Sequence, residues 1–117
     1  MEPTIVKVQG EPTRTTAGGL KVWELRSETT DARDLAILYA VVPPGASEGP
    51  HTRDSEEIIF YIQGTSEVKV EGGKTYRVGP KELISIPAGI SHSHSNPGKE
   101  PVIQFFVRAE AGRKNKK

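Results

Sequence analysis

Three histidines, one glutamate and one arginine are the residues of this sequence whose types and spacing could do chemistry. His51, Arg53 and Glu57 fall in a run that starts at Gly45 and ends at Gly64, and His92 and His94 fall in the run Pro87-Ala88-Gly89-Ile90-Ser91-His92-Ser93-His94-Ser95-Asn96. Side chains alternate along extended backbone, so His51 and Arg53 share one face while His92, His94 and Asn96 share another. If both faces look into one interior, imidazoles and the Glu57 carboxylate converge on a point, which is the composition of a divalent metal site. Arg53 has no lone pair to offer a metal and is permanently charged, so its natural partner is an anion. The chain has no cysteine. That excludes a thiol nucleophile, a disulfide scaffold, cysteine-bound zinc and an iron-sulfur cluster.

The elements that must position these residues read as strands. Twelve glycines and nine prolines cut the chain into short segments, none of which sustains a helical period. Apolar, β-branched and aromatic residues mark strands at Ile5 to Val8, Leu20 to Leu25, Leu35 to Val42, Glu57 to Ile62, Ser66 to Val70, Thr75 to Val78, Leu83 to Ile86 and Val102 to Val107. Val68 to Tyr76 reads as a hairpin closed by a two-residue Gly72-Gly73 loop. Many short strands without intervening helices predict an all-β sandwich or barrel. The stretches Ile58 to Ile62 and Val102 to Val107 are apolar on both faces, so each needs cover on both sides. The amino-terminal segment or a partner subunit could supply the second cover, and a homodimer is the expected solution.

With 117 residues, of which 34% are hydrophobic and 26% charged, the chain has the size of one domain. The net charge of +1 is unevenly placed: residues 108 to 117 carry five basic side chains against one acid, leaving eleven against fourteen elsewhere. An acidic body predicts no nucleic-acid partner. The domain is accordingly expected over 1–108, with 109–117 as a basic, flexible tail. The start Met-Glu-Pro-Thr does not read as a signal peptide, and no apolar run is long enough to cross a bilayer, so no membrane partner and a cytoplasmic location are expected.

The two histidine segments resemble the two motifs of the cupin superfamily, G-x5-H-x-H-x3-E-x6-G and P-x-G-x2-H-x3-N. Gly45, His51, Glu57 and Gly64 match the first, and Pro87, Gly89, His92 and Asn96 match the second. The resemblance implies an antiparallel jelly-roll barrel, or double-stranded β-helix, often dimeric, with a divalent metal held inside by histidines and a glutamate. Two positions depart from the pattern. Arg53 stands where the family has its second histidine, and Lys81 stands near a position usually given to glycine, where it should only alter a turn.

Three ligands are left at matching positions: His51, Glu57 and His92. Two outcomes are open. Arg53 points away or contacts a bound anion, leaving two histidines and a carboxylate as a facial triad with His94 available as a fourth ligand. Alternatively, Arg53 replaces the metal, pairs with Glu57 or binds a carboxylate, phosphate or sugar acid, and a histidine serves as general base. Tyr61 and Gln104, flanked by apolar neighbours, are candidate ligand contacts alongside Arg53. Asn96 reads as a turn residue bonding backbone groups. The functional expectation is a small cupin binding a divalent ion (iron, manganese, zinc or nickel) and a small polar or anionic molecule, as a metal-dependent dioxygenase, isomerase or lyase. The alternatives are a metabolite-binding or sensing module without turnover and a metal-free, epimerase-like protein.

Overall fold

The computed structural model describes residues 3–25 and 35–109; most of the basic tail, 110–117, lies outside the described residues, as do residues 26–34. Ten strands form in the described part: β1 (Arg14–Thr15), β2 (Lys21–Glu24), β3 (Leu35–Val42), β4 (Ser47–His51), β5 (Glu57–Gln63), β6 (Ser66–Val70), β7 (Lys74–Val78), β8 (Leu83–Ile86), β9 (His92–Ser95) and β10 (Val102–Ala109). They make two antiparallel sheets, ordered β1-β2-β3-β10-β5-β8 and β4-β9-β6-β7. No helix among the described residues is long and apolar enough to cross a membrane.

The strands follow the apolar pattern with five main differences, the first being β1, a two-residue strand that no apolar run announced. Ile5 to Val8 is not a strand: Ile5 is 87% exposed, and this stretch buries no apolar face to stabilise a ladder. The β6–β7 loop has three residues, Glu71-Gly72-Gly73, between the paired Val70 and Lys74. The Gly73 amide donates to the Val70 carbonyl across 3.1 Å, closing that turn one residue wider than expected. Strands β4 and β9 lie outside the apolar pattern because their sequences, SEGPH and HSHS, are polar throughout. Their pairing holds them extended, not their hydrophobicity. Ala109, expected to open the tail, is the last residue of β10.

The two sheets face each other across a core that includes Leu20, Val22, Leu38, Val42, Ile59, Val68, Ile86 and Phe106, all at most 6% exposed. Each such side chain contributes about 1.5–3 kcal/mol by leaving water. On β5 and β10 the inward positions are paired in three successive layers: Glu57 opposite Arg108, Ile59 opposite Phe106, and Tyr61 opposite Gln104. A polar layer thus lies at one end, an apolar layer beneath it, and a second polar pair deeper still. Asn96 closes the opposite end of β9. Its amide donates to the carbonyls of Val42 and Glu100, both at 2.8 Å, and its side-chain oxygen accepts from the Gly98 amide at 2.9 Å.

Lys81 occupies the left-handed region at φ 69°, and its amide donates to the Tyr61 carbonyl across 2.8 Å. A side chain there costs about 1–2 kcal/mol, partly offset in a glycine variant by the greater freedom of the unfolded chain. Lys81→Gly is therefore expected to raise stability by about 0.5–1 kcal/mol in urea unfolding; a loss of stability would show that this turn is not strained.

Candidate metal centre

Two neighbouring strands and the start of a third bring the centre together. His51 ends β4 opposite His92, which begins β9, and Glu57 begins β5 in the facing sheet. A register shift between Glu48 and His51 places two residues of β4, Gly49 and Pro50, against one of β9, Ser93. Such a bulge breaks simple alternation, so Glu48 and His51 both line the same cavity. Gly49 allows this. Its φ is 99°, and a Cβ there would lie 2.8 Å from the His92 carbonyl oxygen and 3.0 Å from the Ser93 Cα.

His51 Nε2, His92 Nε2 and one Glu57 carboxylate oxygen all lie within 4.8 Å of one another. The His51–His92 separation is 3.1 Å, His92–Glu57 is 3.0 Å and His51–Glu57 is 4.0 Å. Atoms bound at about 2.0–2.2 Å to one ion stand about 3 to 4 Å apart, so these spacings fit. The tautomer also fits. His92 Nδ1 donates to the Ile90 carbonyl across 3.0 Å, which leaves Nε2 of the neutral ring with its lone pair directed at the group. With that ring neutral, three electron-pair donors face each other. A cation at their centre resolves the conflict.

The surroundings favour the neutral form of His51 and His94. Burial and the Arg53 charge together hold His51 below its ordinary value, in the form that can bind a metal. His94, 3% exposed and edge-on to Phe106 with ring centroids 6.0 Å apart, is lowered by burial to about 3. Between about pH 6.5 and pH 3 the unfolded chain thus takes up a proton that folded His94 refuses. Its contribution to stability is full above 6.5 and is lost on acidification, with a slope of up to ~1.4 kcal/mol per pH unit. Urea unfolding of metal-free protein is expected to show that slope, and His94→Gln to flatten it; equal slopes would remove the assignment.

The structure brings His51, Glu57 and His92 together and places Arg53 on the same cavity, of about 40 Å³, with His94, Arg14, Glu48 and Arg108. Arg53 reaches it from the loop after β4, not from a shared strand face. His94 lines the cavity but is not one of the three converging ligands. The guanidinium that reaches Glu57, at 3.5 Å, is that of Arg108 and not of Arg53. Arg108 counted in the sequence only as part of the basic tail. Extending the two-residue period of Gln104 and Phe106 by one step would have found it. Arg14, held by Glu24 at 2.6 Å, carried no signal, since β1 is only two residues long.

Tyr61 and Gln104 lie one layer deeper, behind Ile59 and Phe106, and do not line this cavity. Both are fully buried; the Tyr61 hydroxyl has Ser66 beside it, and among the described residues both polar atoms of the Gln104 amide lack hydrogen-bond partners. Burial pushes Tyr61 up to about 12, so it stays a phenol. A larger recess of about 290 Å³, bordered by Arg77, Lys99 and Glu100, lies beyond the far end of β9 and contains no histidine.

The family model described as "Cupin domain" (Cupin_2) matches residues 38–108, and the chain belongs to that family. No curated protein matches. Among solved structures, a predicted oxalate decarboxylase from Thermotoga maritima aligns with a TM-score of 0.79 at 20% identity, covering 91% of this chain and 98% of that one. A cupin family protein from Methanocaldococcus jannaschii, described as a double-stranded β-helix, aligns at 0.74 and 16% identity, covering 93% and 92%. The plu4264 protein of Photorhabdus luminescens aligns at 0.81 and 18% identity, covering 96% and 92%. At these identities the likeness establishes the fold: an all-β, antiparallel double-stranded β-helix.

Proposed function

We propose that the protein holds a divalent metal ion through His51, Glu57 and His92 and, beside it, a small polar or anionic molecule, which it turns over as a metal-dependent dioxygenase, isomerase or lyase. The observation that carries this reading is the commitment of the His92 Nδ1 proton to the Ile90 carbonyl, which points a lone pair at Glu57 and His51. A bound iron, manganese, zinc or nickel ion would supply Lewis acidity and, for the redox-active metals, electron transfer. The chain's own residues do the rest. Arg53 attracts and orients the anionic group, and Leu20, Val22, Leu38 and Phe106 form the dry wall of the cavity. Tyr61 and Gln104 stay in this reading as ligand contacts only for a guest that passes the Ile59–Phe106 layer, where the unpartnered Gln104 amide would favour a polar group.

Elemental analysis of protein purified without a histidine tag tests the proposal. About one divalent ion per chain is expected. Essentially no metal, with no thermal shift on adding manganese, iron, zinc or nickel, would overturn it. That result would favour the metal-free, epimerase-like alternative, for which Arg108 is the specific support: it already gives Glu57 a cation. A site that retains metal and ligand without turnover would be a binding or sensing module.

We further propose a homodimer formed through the outer face of the six-stranded sheet. Phe60, Ile62 and Leu83 are 39%, 49% and 54% exposed there, and Phe60 is paired with both Leu83 and Phe105. Ile5 to Val8, which could have covered this face as a strand, is itself exposed. Contiguous apolar surface of this kind marks association. Sedimentation at micromolar concentration should give the dimer mass; a monomer would refute it.

A further inference from the structure

The fold leaves an apolar run near its beginning unused. Ile5, Val6 and Val8 are all exposed, although residues 4–8 are mostly of the β-branched types that suit a strand. One sheet edge is likewise bare. Strand β8 ends the six-stranded sheet and is bonded, among the described residues, to β5 alone; Leu83 is exposed on its outer face, and Ile84 packs half-buried against the core on the other. Such an edge presents unpaired backbone groups to any strand whose pattern fits it. The two patterns fit. With Val6 and Val8 set beside Ile84 and Ile86, in either strand direction, Lys7 falls beside Ser85, whose hydroxyl donates to the Glu56 carboxylate. Apolar side chains then share one face and opposite charges the other.

The segment cannot reach the edge of its own sheet. The Gly10 carbonyl accepts from Trp23 Nε1 across 3.2 Å, which tethers the run to β2. A strand added beyond β8 lies five strand spacings from β2, about 24 Å, whereas the three residues from Gly10 to Lys7 span at most about 11 Å. A second copy removes the difficulty. A two-fold axis running along the strands lays two outer faces together with their strand orders opposed, so the β1–β2 edge of one copy comes over the β8 edge of the other, one sheet spacing or about 10 Å away. Resting on the homodimer proposed above, we infer that residues 4–8 of each copy pair as an extra strand with β8 of the other, so that exchanged amino-terminal strands close the dimer.

The absence of cysteine makes cross-linking a clean test. In the full chain carrying Lys7→Cys and Ser85→Cys, mild oxidation is expected to give a covalent dimer on a non-reducing gel, since neighbouring strand positions have the spacing a disulfide needs. A disulfide within one chain, or none, would overturn the exchange. Sedimentation supplies the second test. Val6→Asp combined with Val8→Asp is expected to weaken the dimer at least about tenfold. Both side chains are exposed in the single chain, so far-UV circular dichroism should show the fold unchanged. A dimer of unaltered affinity in that variant would overturn the exchange and leave the homodimer standing on its sheet faces alone. A full chain that sediments as a monomer would instead overturn the homodimer, and the exchange with it.

Discussion

Glu57→Gln is expected to cost at least ~100-fold in divalent-metal affinity while leaving the fold in place. Losing a second-shell partner costs about 10–100-fold, and Glu57 is a direct ligand and the only anion among the three. Glutamine preserves the volume and one carbonyl acceptor, so the packing against His92 survives while the attraction for a dication is lost. Dialysis against manganese or zinc, with far-UV circular dichroism as a check on folding, measures the effect. His94→Gln is the internal control: it alters the same cavity outside the converging group and should keep its metal. Equal metal content in Glu57→Gln and the parent would show that the three side chains meet for another reason.

Gly49→Ala is expected to cost a large part of the protein's stability. The Gly49 φ of 99° is poorly tolerated by any residue with a Cβ, and the added carbon would lie 2.8 Å from the carbonyl oxygen of His92. That neighbour is backbone in the paired strand, so it can yield only if β4 moves away from β9. Strain and overlap together should cost about 2–4 kcal/mol, lowering Tm by roughly 8–20 °C. Metal affinity should fall with it, because the strands that must separate are those that carry His51 and His92. A Tm within a few degrees of the parent would mean that the bulge can be remade without glycine.

The strands were legible wherever burial imposes a two-residue period. Leu35–Val42, Ser66–Val70 and Leu83–Ile86 begin and end where the apolar pattern does, and β5 and β10 run only slightly further than it predicts. The pattern misled at Ile5 to Val8, where β-branched residues meet no facing surface. It was silent at β4 and β9, whose hydrogen-bonded neighbours hold polar sequences extended. The ligand group was legible through motif spacing, and Asn96 through its place before Pro97-Gly98. Arg108 was legible only by carrying the period of Gln104 and Phe106 one step past the apolar run, and its place among the basic residues of the chain end hid the inward direction that its pairing with Glu57 reveals.

What the sequence by itself determined was the class of fold, the family and the identity of three candidate ligands, because periodicity and fixed spacing are properties of a linear chain. The tertiary structure alone decided which guanidinium meets Glu57, that Arg53 enters the cavity from a loop, and that Tyr61 and Gln104 sit one layer below it. These depend on the register of strands far apart in sequence and on a single bulged residue in β4. One extra residue turns side chains to the opposite face, and no local pattern records which strand will lie opposite.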